Sequence, residues 1–279
     1  MNLSEKLFKT ALRDLESVEI LYESKHYNVA LFQFQQCIEK LVKSFGLETK
    51  SIKSEDIAKK INHLPYKVFT RLYDIQSEEL AKKTHPPLFI PDMVPPHQRD
   101  KTNIFNQLER TKDLRLKILE YADLNKNRIV EEEKLKDFIS GGKDLDQIPE
   151  INEVQLLKEI EDDFVKTNEH FIKYFDGDNN IKEISEYYIQ NSKIVAQNKL
   201  ELHKKEIIRQ RKYGYVEYVW INLCLVTFSH EQSTRYPLID SELLPEELYN
   251  EDSTIIKYLP ELIIMLKKSI QKYRDVYDK

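Results

Sequence analysis

Apolar residues recur every three or four positions along most of this chain, which is the spacing of an amphipathic α-helix. The first predicted helix has an apolar stripe formed by Leu7, Ala11, Leu15, Val18 and Tyr22. The second stripe is wider and predicts a helix from about Asn28 to Phe45, with Gly46 as a left-handed stop. No stretch of useful length alternates between apolar and polar residues, so the pattern predicts an all-α fold.

Further helices are predicted in the rest of the chain, and clear breaks separate them. Ser54 is expected to cap a third helix, which Pro65 interrupts. Five of the ten prolines lie within 86–96, a segment that no helix can contain and that predicts an extended connector. The later predicted helices cover about 102–124, 151–175, 181–212, the strongly apolar segment 215–229, and a last segment with Ser253 and Pro260 near its start.

Composition excludes several classes of nucleotide-binding protein. The chain has 279 residues and 41% hydrophobic content, which is enough for a sizeable core. Charged residues make up 33% of the chain, yet the net charge is only −5, so both signs are interspersed as on a helix-rich surface. Five glycines leave no material for a Gly-rich phosphate loop or a dinucleotide fingerprint, so we expect neither a P-loop nor a Rossmann fold.

The cysteines and the N-terminus predict a cytoplasmic protein. Cys37 and Cys224 each lie within an apolar run, where a free thiol behaves as a small buried hydrophobic group. The chain does not begin with an apolar segment like that of a signal peptide, and no stretch approaches 18 uncharged apolar residues. We therefore expect free thiols, a cytoplasmic location and no membrane association.

The second predicted helix carries a distinctive motif in which aromatic residues and an alanine precede a glutamine pair and a Glu-Lys sequence. The motif residues are Tyr27, Ala30, Phe32, Gln35, Gln36, Glu39, Lys40 and Lys43. A His-Leu pair follows at His63-Leu64, and Arg235-Tyr236-Pro237 precedes the last predicted helix. This combination resembles the HEPN family (higher eukaryotes and prokaryotes nucleotide-binding), whose members are compact helical bundles.

The resemblance lies at the two ends of the chain and implies one HEPN-like helical bundle with additional inserted helices. Residues 1–75 are expected to form the N-terminal part of this bundle, and residues 213–279 its C-terminal part. Between them, 76–212 is expected to be a helical insertion that includes the Pro-rich connector 85–96. The competing arrangement is two consecutive bundles divided near Gly141-Gly142.

The resemblance also implies a class of function, because HEPN proteins occur in toxin, antiviral and RNA-cleaving systems. It implies a homodimer, with RNA or a nucleotide as ligand and a nucleotidyltransferase-type protein as partner. The main hypothesis is therefore a nucleotide- or RNA-associated or interaction module of a microbial defence or toxin–antitoxin system. The alternatives are a divergent, metal-independent endoribonuclease and a helical protein-binding scaffold without a ligand.

The candidate site follows the most apolar segment of the chain. Ribonucleases of the HEPN family carry an Arg followed by a His four to six residues later, and no Arg in this chain has a His at that spacing. The order is reversed here, since His230 precedes Arg235 by five positions. An Arg can stabilise phosphate charge and a His can transfer a proton, so these two are the candidate catalytic residues. Glu231, Thr234 and Tyr236 are the candidate ligand-binding residues.

The same residues have a purely structural interpretation. His230 can hydrogen-bond a carbonyl at the end of the helix, and Arg235 can pair with Glu231 in a capping network. The glutamine pair of the second helix is expected to hydrogen-bond within the bundle. The sequence therefore leaves the functional and the structural interpretation of the site open.

Other candidate sites are weaker, and we expect no metal and no cofactor. The turn at 176–180 lacks the later Gly and Glu of a calcium loop, and Thr234 replaces the second His of a zinc-protease motif. A basic cluster is interrupted by Glu201 and Glu206, so it predicts a solvated helix face more than a nucleic-acid surface. This cluster and its neighbouring tyrosines are Lys199, Lys204, Lys205, Arg209, Arg211, Lys212, Tyr213, Tyr215 and Tyr218.

Overall fold

A computed structural model describes residues 1–84, 101–124, 130–147, 150–175, 177–230, 233–236 and 243–277. No strand occurs in these ranges, and the predicted all-α fold is confirmed. The Pro-rich connector 85–96 lies outside them. The helices are α1 (Leu3–Glu23), α2 (Tyr27–Glu48), a π-helix (Ile57–Ile61), α3 (Tyr66–Thr84), α4 (Lys101–Leu124), α5 (Glu132–Asp146), α6 (Glu153–Tyr174), α7 (Asn179–Gln190), α8 (Ser192–Phe228), α9 (Pro245–Leu248) and α10 (Thr254–Tyr277).

The chain divides into two compact units. The first unit consists of 1–77, 111–147 and 212–279, and the second consists of 78–110 and 148–211. Helices α3, α4 and α8 each contribute residues to both units. Within the described ranges, no helix has both the length and the apolar character needed to cross a membrane.

The first unit contains a hydrophobic core to which both ends of the chain contribute. Phe45 of α2 makes ring contacts with Trp220 of α8 at 5.7 Å and with Tyr273 of α10 at 6.3 Å between ring centres. The buried indole N–H of Trp220 donates to Ser269 Oγ at 2.8 Å, so it keeps a hydrogen bond inside the core. Residues 111–147 also belong to this unit, although the sequence pattern assigns them to the insertion.

The predicted end of α2 at Gly46 is wrong. The helix continues to Glu48, and Thr49 is its C-cap. A Cβ atom at position 46 would lie 2.6 Å from Val68 Cγ1 of α3, which is closer than two carbon atoms can pack. Glycine is needed here because α3 approaches the α2 backbone, and it does not end the helix.

Helix α5 contains the glycine pair that the sequence suggested as a division between two bundles. A Cβ at Gly141 would clash with Tyr218 Oη, and a Cβ at Gly142 would clash with Met265 Cε. The Tyr218 hydroxyl donates to the carbonyl of Phe138 at 3.2 Å. The two glycines therefore let α8 and α10 approach α5 inside the first unit.

The predicted helix at 181–212 is also wrong, because the chain bends within it and then continues beyond it. Helix α7 ends at Gln190, and α8 runs without interruption from Ser192 to Phe228. Gly214 lies within α8 and does not break it. The buried side chains of Val219 and Leu223 continue the helix into the core, and this burial outweighs the low helix propensity of one glycine.

In the second unit, α6 packs against α7. The rings of Phe164 and Tyr188 meet edge to face at 5.7 Å, and Lys199 Nζ lies 4.9 Å from the centre of the Phe164 ring. Asp178 caps α7 by accepting hydrogen bonds from the backbone N–H groups of Asn180 and Ile181. The turn that resembles part of a calcium loop therefore provides a helix cap; its residue 176 lies outside the described ranges.

Candidate functional site

The turn after α8 places His230 in the interior of the first unit. The residue is only 2% exposed, and its Nδ1 atom lies 2.8 Å from the hydroxyl oxygen of Tyr249. That oxygen lies 2.6 Å from Ser233 Oγ, so three side chains form one buried polar chain. The hydroxyl of Thr234 donates to the His230 carbonyl at 2.9 Å, which closes the turn.

Burial determines the charge of His230. It lowers the pKa of His230 to about 4, because the imidazolium ion would lose its hydration in the core. The imidazole is therefore uncharged at neutral pH, with one nitrogen protonated and the other able to accept a hydrogen bond. An uncharged ring can accept a proton or bind a polar group, but it provides no positive charge for a phosphate.

Arg235 lies at the other end of this turn, on the surface. Its guanidinium carbon lies 5.0 Å from the ring centre of Phe32 on α2 and 5.4 Å from that of Tyr236. Both distances are typical of cation–π contacts. The Tyr236 side chain is 61% exposed, and Arg235 is exposed as well. An arginine stacked on an aromatic ring can present its planar N–H groups to a phosphate.

The five predicted site residues therefore differ in their environments. His230 and Thr234 are buried, whereas Arg235 and Tyr236 are exposed. Glu231 lies outside the described residues. The predicted catalytic and ligand-binding roles stay predictions. Thr234 has a visible structural role, since its hydroxyl closes the turn.

The sequence does not indicate that Tyr249 and Phe32 belong to the candidate site. Tyr249 follows α9 and lies 19 positions after His230, so no local spacing connects the two. Phe32 belongs to the α2 motif, but nothing in the sequence indicates that Arg235 would stack on it. Both contacts depend on tertiary packing.

A second polar cluster joins α2 to the loop before α3. The Glu39 carboxylate is buried, accepts a hydrogen bond from Lys43 Nζ at 2.6 Å, and lies 3.4 Å from His63 Nδ1. Asn62 has φ +49°, a left-handed conformation that is uncommon for residues other than glycine, directly before His63. Glu39, Lys43 and His63 all carry the family resemblance, so the fold brings the two parts of that motif together.

Lys40 of the same motif joins α2 to α1. Its Nζ atom lies 2.5 Å from Asp14 Oδ2, and Gln33 Nε2 donates to Asp14 Oδ1 at 2.8 Å. Asp14 is buried and has two donors around it. This pair therefore stabilises the contact between the first two helices.

Three of the six basic residues in the α8 cluster are paired with carboxylates. Lys204 pairs with Glu153 and Glu201, and Arg209 pairs with Glu206. These pairs favour the interpretation of this region as a solvated helix face. The neighbouring tyrosines contribute to the hydrophobic core or pack against it, so they are not exposed stacking platforms: Tyr213, Tyr215 and Tyr218.

The cysteines and the carboxylates of the described residues indicate neither a reactive thiol nor a metal centre. Cys37 and Cys224 are free and buried, as predicted. Burial raises the pKa of both thiols, which keeps them protonated and unreactive. In the described ranges, no group of three or more His, Cys, Asp and Glu side chains is arranged to hold a metal ion.

Comparison with known proteins identifies the N-terminal segment. No curated protein and no solved structure matches this chain. Residues 4–83 match the model of the HEPN domain family, which confirms the resemblance predicted from the α2 motif. This segment includes most of α1, all of α2, the π-helix and nearly all of α3. Over residues 4–83 the chain is therefore similar to HEPN domains.

Proposed function

We propose that this chain is a nucleotide- or RNA-associated HEPN module of a microbial defence or toxin–antitoxin system. The observation that supports this role best is the position of Arg235, exposed at the surface and stacked on Phe32 of the HEPN segment. A guanidinium group is always charged and offers donors in a fixed plane, and the ring restricts its orientation. This geometry suits contact with a phosphate of a nucleotide or of an RNA backbone.

In this proposal the chain acts as a homodimer together with a nucleotidyltransferase-type partner protein. Two large apolar side chains on neighbouring helices of the first unit support an interface: Ile20 of α1 is 65% exposed and Ile264 of α10 is 55% exposed. The hydrogen bond from Lys267 to Glu19 shows that α1 and α10 adjoin at this place. A contiguous exposed apolar patch with a polar rim is typical of protein interaction sites, and these two side chains would lie at the centre of one.

A metal-independent endoribonuclease that uses His230 and Arg235 is the second candidate. Its support is the uncharged state of His230, since a neutral imidazole can accept a proton from a 2′-hydroxyl group. The burial of His230 opposes this role, because substrate cannot reach the ring in this structure. A protein-binding scaffold without a ligand is the third candidate.

RNA binding separates the three candidates. Fluorescence anisotropy with labelled single-stranded and hairpin RNA would compare the wild type with Arg235→Lys. Arg274→Lys is a matched control, because Arg274 also lies over an aromatic ring of the first unit, 5.6 Å from the centre of Phe8. We expect Arg235→Lys to weaken binding about tenfold, since a charge-assisted hydrogen bond contributes about 1.5–3 kcal/mol, and the control to bind like the wild type.

The other outcomes identify the other candidates. Equal binding by the wild type and both variants would reject Arg235 as the phosphate contact. RNA fragments that form in the presence of a chelator, and that disappear with His230→Ala, would indicate the ribonuclease. If the wild-type protein bound neither RNA nor a nucleotide, the protein-binding scaffold would be the remaining candidate.

A further inference from the structure

In the described part of the first unit, six side chains have buried polar atoms without a hydrogen-bond partner, and three of these, Gln35, Ser229 and His230, lie on α2 and at the end of α8. Gln35 is 2% exposed, and neither its amide oxygen nor its amide nitrogen has a partner. The same is true of His230 Nε2 and Ser229 Oγ. Buried polar groups are almost always paired, and an unpaired one is destabilising by about 1–3 kcal/mol. Several such atoms in one region point to a bound molecule that supplies the missing partners.

The pairing of α2 with α8 brings these side chains to one level of the bundle. Residues late in α2 meet residues early in the core part of α8, since Phe45 contacts Tyr213 at 6.1 Å between ring centres. At the other end of α2, Phe32 meets Arg235. The two chain segments therefore run antiparallel. Gln35 follows Phe32 by less than one helical turn, and it lies at the level of the turn that carries Ser229 and His230.

The electrostatic effect of Glu39 on Cys224 agrees with this alignment. Burial, and after it the charge of Glu39, raises the pKa of the Cys224 thiol, so Glu39 and Cys224 lie near each other. Gln35 lies between Phe32 and Glu39 on α2, and Ser229 lies between Cys224 and Arg235 on the opposing segment. The order along the two segments therefore places Gln35 near the level of Ser229 and His230.

We propose that Gln35, Ser229 and His230 bind the hydrogen-bonding edge of a nucleobase, while Arg235 contacts the phosphate of the same nucleotide. This inference rests on the proposed function and names the ligand group that the interior would accept. All three side chains are uncharged at neutral pH, so they suit a neutral polar group and not a phosphate. A glutamine amide offers a donor and an acceptor in one plane, which is the arrangement that reads a base edge.

The surface contact and the interior contacts are associated with nearby positions of α2. Arg235 stacks on Phe32. Gln35 lies three residues after Phe32, or about 4.5 Å further along the helix axis. The charged contact lies at the surface and the neutral contacts lie in the interior. Because Gln35 and His230 are almost inaccessible in this structure, the side chains around them must rearrange before a base can enter. The observed rate of association should therefore become independent of ligand concentration when the ligand is in large excess.

Calorimetric titration of the full chain tests this site with the four ribonucleoside monophosphates, the four nucleosides and inorganic phosphate. We expect one base to be preferred, both as nucleoside and as monophosphate, and inorganic phosphate to bind more weakly. Gln35→Leu should lower affinity for the preferred nucleotide about tenfold and remove the preference among bases. Gln36→Leu is the matched control, since it makes the same change at the next residue and should bind like the wild type.

Ser229→Ala tests the same site with a smaller change if Gln35→Leu fails to fold, and it should also reduce the preference among bases. Equal affinity of the wild type for all four monophosphates would overturn the base site and leave the proposed function intact. Ordered water alone could fill the interior; nucleosides would then not bind, Gln35→Leu would bind monophosphates like the wild type, and the inference would fail. A chain that binds neither nucleotides nor RNA would overturn both the inference and the proposed function.

Discussion

His63 Nδ1 lies 3.4 Å from Glu39 Oε2, although 24 positions separate the two residues in the chain. The contact attaches the loop before α3 to the middle of α2. Glu39 is also paired with Lys43 at 2.6 Å, and both side chains of that pair are more than nine-tenths buried. One buried carboxylate therefore holds a buried ammonium group and a partly exposed imidazole.

Glu39→Gln should lower the free energy of unfolding by about 3 kcal/mol, because Lys43 would remain buried without an opposite charge. Denaturant unfolding followed by the fluorescence of Trp220, the only tryptophan, measures this change in the first unit. The exposed Glu16 provides the control Glu16→Gln, for which we expect no more than about 0.5 kcal/mol. The double variant Glu39→Gln with Lys43→Met should recover part of the loss. A double variant as unstable as the single one would mean that the charge pair is not the cause.

His230 predicts a pH dependence with a definite sign. Its pKa is lowered to about 4 in the folded chain, while the unfolded chain has a value near 6.5, so unfolding takes up a proton between these values. Stability is therefore fully present above pH 6.5 and falls as the pH falls towards 4, by about 3 kcal/mol. Denaturant unfolding at half-unit steps from pH 7.5 to 4.5 measures the slope.

His230→Gln should flatten this profile between pH 6.5 and 4, because the titrating group is absent. His26→Gln is a suitable control, since His26 is exposed and makes no side-chain bond to the helix that it precedes. The pKa of the Asp56 carboxyl is also lowered, to about 2, chiefly by its hydrogen bond to Lys60. Titration of Asp56 changes the stability only below pH 4, outside the pH range in which His230 changes it. An identical slope in the wild type and His230→Gln would show that His230 does not titrate as expected.

The glycines show why helix positions were predictable from the sequence while some helix ends were not. Apolar spacing located α1, α2, α4 and α6, because a stripe of period 3.6 must face a core. The effect of a glycine depends on what lies next to it. Gly46 allows α3 to approach α2, and Gly214 lies in a helix that core packing holds together. Neither environment can be read from the residues adjacent in sequence.

The candidate site shows a similar limit. The sequence indicates that His230 follows an apolar helix, but the burial of its ring depends on Tyr249, which lies on a later part of the chain. The surface position of Arg235 depends on Phe32, more than 200 positions earlier. Local spacing could group these residues as candidates. It could not separate an interior imidazole from an exposed guanidinium.

Gly46→Ala should destabilise the chain, although alanine is the better helix former. The new Cβ would lie 2.6 Å from Val68 Cγ1 and 2.9 Å from Ile52 Cγ1, and overpacking of this kind lowers stability by about 1–3 kcal/mol. Gly214→Ala is the matched control within α8, since no described atom lies within 4 Å of the added Cβ. It should raise stability by about 0.5–1 kcal/mol through helix propensity alone. Denaturant midpoints that moved in the same direction for both variants would contradict the packing argument.

Tyr249→Phe should loosen the turn that carries the candidate site. The hydroxyl of Tyr249 lies within hydrogen-bond distance of both His230 Nδ1 and Ser233 Oγ, and its loss leaves two buried polar groups with fewer partners. We expect the free energy of unfolding to fall by about 1–3 kcal/mol.

Tyr258→Phe removes a hydroxyl that donates to Glu132 at 2.9 Å in an exposed position, and its effect should stay below about 1 kcal/mol. Amide hydrogen exchange adds a local measure, since the N–H of Thr234, which donates to the His230 carbonyl at 3.0 Å, should exchange faster in Tyr249→Phe alone. Unchanged exchange at Thr234 together with equal stability losses in the two variants would mean that the buried polar chain does not hold the turn in place.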